Sequence, residues 1–215
     1  MPSIYDLKPK FQGLLRPLAN ALARLGVTAN QVTLLACTIS IGWGVWMART
    51  IGYPWPFLLL PLWFFLRMAL NAIDGMLARE HDMRTPLGAF LNELTDVVSD
   101  AALYLPFALL PGVEPTWVVL VVLLATLTEM TGVVAVQVGA QSGRADPNLR
   151  RYDGPMGKSD RAFVFGALGL AVGIGLRVTP WFNWVMLALL ALLALTVLNR
   201  VRRGLAALRG GEGAA

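Results

Sequence analysis

The sequence predicts an all-α, polytopic integral membrane protein with six transmembrane helices and an N-terminal amphipathic helix at the membrane interface. Of the 215 residues, 56% are hydrophobic and the mean hydropathy is +0.61, values too high for a soluble domain of this length. Long apolar runs also alternate with short polar breaks. Most of these runs are close to the roughly 20 residues that a helix needs to cross a bilayer.

Residues 1–31 are predicted to form an amphipathic juxtamembrane segment. Leucines recur there at helical spacing, and basic residues interrupt the apolar stretches, so the continuous apolar core of a signal peptide is missing. Pro9 and Pro17 are expected to bend or interrupt this helix. A partly ordered tail is the alternative interpretation of the segment.

Residues 32–200 are predicted to form the six-helix membrane domain, followed by a basic C-terminal tail at 201–215 that contacts anionic lipid. The predicted spans are residues 32–52, 55–78, 87–110, 117–140, 162–178 and 181–198, with Gly, Pro or polar residues at the breaks. Gly169 and Gly173 have a spacing that permits helix association. A homodimer therefore stays open.

The basic residues predict the orientation in the membrane. With both termini in the cytoplasm, most of the 18 Lys and Arg residues lie on that side, and only Arg49 and Arg177 lie on the other. Trp55, Trp117 and Trp181 begin segments that enter from this second side, as interfacial anchors do. We therefore expect a multi-pass protein of a bacterial-type inner membrane. Nucleic acid is not an expected partner, because the basic residues lie between apolar segments.

The second and third segments carry polar residues at helical spacing, which are costly at bilayer depth and therefore indicate a functional site. In the second segment, the residues from Asn71 to Ala78 fall within one arc near the predicted cytoplasmic end of the helix. In the third segment, Gly88, Asn92 and Asp96 follow one another at four-residue steps. If the two helices pack side by side, these two stripes face each other. In chain order the residues are Asn71, Asp74, Gly75, Ala78, Arg79, Gly88, Asn92 and Asp96.

The oxygen atoms of these stripes predict a site for a divalent cation. Carboxylate and amide oxygens suit Mg²⁺, Mn²⁺ or Ca²⁺, and with one His and the lone Cys37 no His or Cys cluster competes for a softer ion. The candidate ligands are Asn71, Asp74, Asn92 and Asp96, with Asp100 one turn further on as an additional candidate. A divalent cation beside an arginine in a cytoplasmic cleft is typical of phosphoryl transfer. Alternatively, the amides only hydrogen-bond between helices, and the carboxylates face interfacial water.

These residues resemble the signature of the CDP-alcohol phosphotransferases, also called CDP-alcohol phosphatidyltransferases. That signature is Asp-x-x-Asp-Gly-x-x-Ala-Arg, eight residues, Gly, three residues, Asp, three residues, Asp, and every spacing matches here. Asn71 and Asn92 stand where the family has its first and third aspartates. The resemblance extends to the six helices, to the N-terminal helix, and to Thr28, Asn30 and Thr33 near the first span.

The resemblance implies an enzyme that moves a phosphoalcohol unit from a CDP-linked donor to an acceptor hydroxyl and releases CMP. CDP-diacylglycerol is the expected donor, and a small polar or phosphorylated alcohol is the expected acceptor. By the same resemblance, Asp74 binds the metal and Asp96 is the general base. The residues implied to accommodate or contact the CDP moiety are Gly75, Ala78, Arg79 and Gly88. The two amides lower the formal charge of the site from −4 to −2, which favours one metal over two.

The predicted cytoplasmic loop before the fifth span offers basic groups for the phosphate of the acceptor or lipid. They are Arg150, Arg151, Lys158 and Arg161. Membrane orientation alone explains the same residues equally well. In the fourth span, Glu129 requires a partner, for which Arg67 is a candidate.

Two other functions fit the same sequence. The donor could carry the head group on CDP, with diacylglycerol as the acceptor. A family member without turnover, which only binds nucleotide or lipid, is the other alternative, and the two amides favour it.

Overall fold

The computed structural model describes residues 4–142, 154–178 and 181–209, which form eight α-helices and no β-strand. The predicted all-α class is therefore confirmed for this part of the chain. The helices are α1 (Ile4–Arg24), α2 (Ala29–Arg49), α3 (Trp55–Leu58), α4 (Leu60–Glu80), α5 (Pro86–Tyr104), α6 (Pro115–Gln141), α7 (Lys158–Gly173) and α8 (Trp181–Arg209).

Helix α1 is continuous, so the predicted interruption at Pro9 and Pro17 is wrong. Its apolar residues pack against the C-terminal half of α4, where Met76 and Leu77 are fully buried. The Arg16 guanidinium also pairs with the Glu80 carboxylate at 2.9 Å. These contacts stabilise a helix in which each proline removes one backbone hydrogen bond.

Helix α2 begins three residues before the predicted span because a capping box fixes its N-terminus. Oγ1 of Thr28 accepts a hydrogen bond from the Gln31 backbone at 3.3 Å, and Oε1 of Gln31 accepts one from the Thr28 backbone at 2.9 Å. Two otherwise unpaired amide groups are thereby satisfied.

Prolines shorten or divide two of the predicted spans. The second span is divided at Leu59 into α3 and α4, because Pro61 follows at the start of α4 and lacks an N–H donor. The third span ends as an α-helix at Tyr104 and continues as a 3₁₀ turn over Leu105–Leu109, which contains Pro106.

The last two helices differ from their predictions in opposite directions. Helix α7 ends at Gly173, and the chain then turns at Gly175, whose φ is +83°. Helix α8 runs to Arg209, well beyond the predicted end of the span at residue 198, and takes in much of the expected tail.

Four of the described helices are long and apolar enough to cross a membrane: α2, α4, α6 and α8. Large apolar side chains such as Leu35, Phe65 and Leu123 remain exposed on them, as a lipid-facing surface requires. Helix α5 carries Glu93, Asp96 and Asp100, and α7 has only 16 residues. A multi-pass membrane protein is thus supported, whereas the count of six spans is not confirmed.

Glycines allow close helix contacts within the chain. At Gly169 an added Cβ would lie 2.9 Å from Cδ2 of Leu60, and at Gly173 it would meet the backbone of Leu58. Gly169 and Gly173, whose spacing permits helix association, therefore contact α4 and α3 of the same chain.

Aromatic rings join the helices beyond the polar part of α5. Tyr104 stacks on Phe165 of α7 with ring centroids 3.9 Å apart, and Phe107 packs against Phe57, Phe165 and Phe182. This cluster holds α3, α5, α7 and α8 together while the opposite part of α5 faces α4.

The closest backbone approach predicts a stability effect. Gly44 of α2 lies against the carbonyl group of Ala102 in α5, so that a Cβ at this position would overlap with the carbonyl oxygen. We expect Gly44→Ala to destabilise the protein by about 1–3 kcal/mol through overpacking, measured as a lower thermal unfolding midpoint in detergent.

Gly42→Ala is the matched control, because a Cβ at Gly42 meets nothing within 4 Å. Equal unfolding midpoints for the two variants would contradict the close contact between α2 and α5.

Candidate active site

The two polar stripes meet across a cleft between α4 and α5. Both helices pack on α2 rather than closely on each other. Nδ2 of Asn71 donates a hydrogen bond across this cleft to Oδ1 of Asp96 at 3.2 Å. The stripes therefore face each other as the spacing predicts, but long side chains and a shared neighbour hold the helices in place.

Asp74 lies on the α2 side of the cleft and is buried. Its Oδ2 atom accepts a hydrogen bond from Oγ1 of Thr33 at 2.7 Å. Since Thr33 belongs to α2, the helix that supports the cleft also orients this carboxylate.

Asp96 lies on the opposite side, and its side chain is 22% exposed. Oδ1 accepts from Nη2 of Arg67 and from Asn71, each at 3.2 Å. Oδ2 lies 2.5 Å from Nζ of Lys158 at the start of α7. Two cationic groups and one amide donor thus surround a single carboxylate.

Asp100 lies between two guanidinium groups. It is buried, with Oδ1 2.5 Å from Nη1 of Arg67 and Oδ2 3.2 Å from Nη2 of Arg161. Both carboxylate oxygens are therefore engaged by guanidinium groups. Asp100 is thus part of an ionic pair with each arginine, and its assignment as an additional metal ligand stays a prediction.

Glu129 is paired with Arg161 at 2.9 Å and lies 3.9 Å from Arg200. The predicted pairing of Glu129 with Arg67 is wrong, because the Arg67 guanidinium is directed at the two aspartates of α5. Nη1 of Arg161 also donates to Oγ1 of Thr128 at 3.0 Å. One buried ionic network thus joins α4, α5, α6, α7 and α8, and we call it the Arg67–Arg200 network.

The small residues of the signature have distinct neighbours. An added Cβ at Gly75 would lie 3.1 Å from Nη2 of Arg79, so the exposed Arg79 side chain folds over this glycine. At Gly88 it would lie 2.6 Å from Oδ1 of Asn30, which occupies the space that the missing side chain leaves. Thr85 caps α5 by accepting a hydrogen bond from the Gly88 backbone at 2.9 Å.

The two remaining signature residues lie at the edges of the cleft. Ala78 is half-buried and packs against the apolar cluster between α1 and α4. Asn92 is exposed, one turn before Asp96 on α5.

An apolar groove of about 650 Å³ runs between α4 and α7 and opens into the cleft. Its polar end carries Arg67, Asn71 and Lys158. Its apolar wall includes Pro61, Phe65, Met68, Phe163 and Leu170. The three side chains at the polar end of the groove are therefore the ones that contact the Asp96 carboxylate.

The four basic residues predicted to bind phosphate fall into three groups. Lys158 lines the groove, where it contacts Asp96. Arg161 is only 1% exposed, and its guanidinium is held by Asp100, Thr128 and Glu129. Arg150 and Arg151 lie outside the described residues.

Arg67 is the functional residue that sequence reasoning assigned to the wrong place. The signal was present, because a charged residue in an apolar span requires a partner, and Arg67 precedes Asn71 by one helical turn. Only the three-dimensional arrangement distinguishes the aspartates of α5 from Glu129 as that partner.

Comparisons with known proteins agree with this arrangement. The sequence profile of the CDP-alcohol phosphatidyltransferase family matches residues 26–197. The inner membrane protein YnbA of Escherichia coli (strain K12) is 45% identical over 200 residues, covering 93% of this chain and 95% of that protein. A phosphatidylinositol phosphate synthase of Mycobacterium marinum is 33% identical over 94 residues, which cover 44% of this chain and 38% of the synthase.

Solved structures share the fold. The phosphatidylinositol phosphate synthase of Mycobacterium tuberculosis with CDP-DAG bound superposes with a TM-score of 0.65 at 19% identity, covering 87% of this chain and 89% of that chain. Its complex with manganese and citrate also gives a TM-score of 0.65, at 21% identity and 87% coverage of both chains. Together with the profile match over most of its length, these similarities show that the chain belongs to the CDP-alcohol phosphatidyltransferase family of membrane transferases.

Proposed function

We propose that this protein transfers a phosphatidyl group from CDP-diacylglycerol to the hydroxyl of a small polar or phosphorylated alcohol and releases CMP. The observation that carries the proposal is that Arg67, Asn71 and Lys158 line the polar end of the apolar groove and also contact Asp96. A carboxylate beside both a polar cleft and an apolar groove suits a substrate with a nucleotide at one end and acyl chains at the other.

The groove favours a lipid donor over a CDP-linked head group. It follows α4 from Pro61 to Asn71, about 15 Å at the rise of an α-helix, and apolar side chains form most of its wall. The relative crystallised with CDP-DAG has the same fold. Acyl chains in this groove would place the diphosphate of the donor close to Asp96 and Lys158.

The cleft residues have separate roles in this proposal. Asp96 accepts the proton of the acceptor hydroxyl as that oxygen attacks the phosphorus atom. The exposed Arg79 guanidinium beside Gly75 binds the diphosphate. The bond between the two phosphates breaks, so that the lipid-side phosphate passes to the acceptor oxygen and the cytidine-side phosphate leaves in CMP. Gly75 and Gly88 leave room for the Arg79 and Asn30 side chains on the nucleotide side of the cleft, and Ala78 adds little bulk at its edge. Lys158 and the loop that precedes it bind the acceptor phosphate.

The donor atoms of the cleft fit one hard divalent cation. Among the described residues, no group of three or more His, Cys, Asp or Glu side chains comes together. The available set is two carboxylates and two amide oxygens, from Asp74, Asp96, Asn71 and Asn92, all of the oxygen type that Mg²⁺ and Mn²⁺ prefer. When bound, such a cation neutralises phosphate charge and stabilises the leaving group.

The excess of Lys and Arg on one side of the predicted spans supports a cytoplasmic cleft, with both termini on the same side of the inner membrane. Helix α1 then lies along that face, where its Arg16–Glu80 ion pair meets the end of α4. The shorter helices α5 and α7 complete the six-helix domain around the cleft.

The direct test is incubation of the purified protein in lipid with Mg²⁺ or Mn²⁺, labelled CDP-diacylglycerol and a panel of free and phosphorylated alcohols. We expect release of CMP and one new phospholipid, identified by mass spectrometry. A parallel incubation supplies CDP-linked head groups and diacylglycerol. Products in that incubation alone would contradict the proposed donor, and bound but unconverted CDP-diacylglycerol would favour a family member without turnover.

Asp96→Asn is expected to lower kcat by at least about 100-fold, because an amide cannot accept the hydroxyl proton. Binding of CDP-diacylglycerol should persist, since the groove and Arg79 are unchanged. Turnover and donor binding are measured separately, by CMP release and by equilibrium binding of the labelled lipid.

Asp82→Asn is the matched control for this variant. Asp82 is exposed and has a φ of 55°, a conformation that asparagine also adopts, so activity should not change. Retention of full activity by Asp96→Asn would remove the general base from the proposal.

Asn71→Asp is expected to lower the thermal unfolding midpoint in EDTA and to raise the dependence of that midpoint on Mn²⁺. The change replaces the amide donor 3.2 Å from Oδ1 of Asp96 with a second negative charge, which a cation can offset. Thermal unfolding over a Mn²⁺ titration measures both effects.

Asn92→Asp provides the comparison, because Asn92 is exposed and should respond less in EDTA. If Asn71→Asp matches the native protein in EDTA, the hydrogen bond between Asn71 and Asp96 does not contribute as described.

A further inference from the structure

We infer that Arg67 is a positioning residue, which fixes the Asp96 carboxylate and is itself fixed by the rest of the Arg67–Arg200 network. The inference rests on the proposed role of Asp96 as the general base. It adds a residue of this chain that lies outside the family signature.

Arg67 contacts both the main chain and the side chain of Asp96. Its Nη2 atom donates to the Asp96 carbonyl oxygen at 3.1 Å and to Oδ1 at 3.2 Å. Contacts to two parts of one residue restrict the rotation of the side chain about the backbone. Arg67 is only 4% exposed, so water competes little for these hydrogen bonds.

The other terminal nitrogen of Arg67 is held by Asp100. Nη1 lies 2.5 Å from Oδ1 of Asp100, one helical turn beyond Asp96 on the same face of α5. The planar guanidinium therefore bridges two successive turns of α5. A lysine ammonium has the same charge but lacks this fixed fork of donors.

The network extends this constraint to three more helices. Oδ2 of Asp100 pairs with Arg161 of α7, and Arg161 pairs with Glu129 of α6. Arg200 of α8 donates to the backbone carbonyl of Thr128, which also lies on α6. Arg161 and Arg200 are 1% and 2% exposed. Displacement of Arg67 would break several buried charge pairs, so its position is strongly determined.

A purely structural role makes a different prediction. If Arg67 only neutralises Asp100, a variant that lacks both charges should regain the stability and the activity that loss of Arg67 alone removes. If Arg67 positions Asp96, the same double change should restore the fold but not the rate. The double variant Arg67→Met/Asp100→Asn separates these cases. The asparagine avoids an unpaired buried carboxylate at position 100, and Arg161 keeps Glu129 as its partner.

We expect the double variant to unfold within a few degrees of the native protein while its kcat falls by about 100-fold, as small misplacements of a reacting group do. KM for CDP-diacylglycerol should change much less than kcat, because the groove is retained. The single variant Arg67→Lys keeps the positive charge, but we expect its kcat to be lowered as well. Assays use the full chain in lipid, with thermal unfolding measured on the same preparations.

Arg16→Met is the matched control for loss of an arginine ion pair. Arg16 pairs with Glu80 on the exposed surface, away from Asp96, so kcat should be unchanged. A double variant that regains native kcat along with native stability would overturn the inference.

If the native protein releases no CMP with any donor, the proposed function is contradicted instead. In that case, structures of the native protein and the double variant decide the inference. A displaced Asp96 side chain in the variant supports the positioning role, and an unchanged one overturns it.

Discussion

The contact on which the cleft depends is the pairing of Arg67 with Asp96 and Asp100. A charged group inside a membrane protein is costly unless it is paired, and loss of one partner from a buried pair costs about 3–5 kcal/mol. Helices α4 and α5 have little direct packing between them, so these charges hold the two halves of the signature at a defined separation. The ion pairs of Arg67 therefore keep α4 and α5 apart, and the cleft between these helices has space for a substrate.

The two amides of the signature are consistent with this arrangement of charges. An aspartate at position 71 would place a second negative charge beside Oδ1 of Asp96, whereas Asn71 donates a hydrogen bond to that atom. Arg67 and Lys158 already supply positive charge to the Asp96 carboxylate. In the proposed function, fewer carboxylates together with fixed cationic side chains favour one divalent cation over two.

Local sequence predicted those features that short-range rules govern. The four-residue steps of Gly88, Asn92 and Asp96 and the all-helical class follow from composition and periodicity. The division at Leu59 was missed because an apolar run conceals the effect of Pro61. The partners of Arg67 and the intramolecular role of Gly173 depend on which helices become neighbours, and helical spacing within one segment carries no such information.

We propose a metal-binding cleft around Asp74 and a structural role for Asp100. Crystals of the protein grown with Mn²⁺, with diffraction collected at the manganese edge, test these two roles most directly. We expect an anomalous peak beside the Asp74 carboxylate, with Asp100 still paired to Arg67 and Arg161. A peak bound between Asp96 and Asp100, with those arginines displaced, would contradict this proposal.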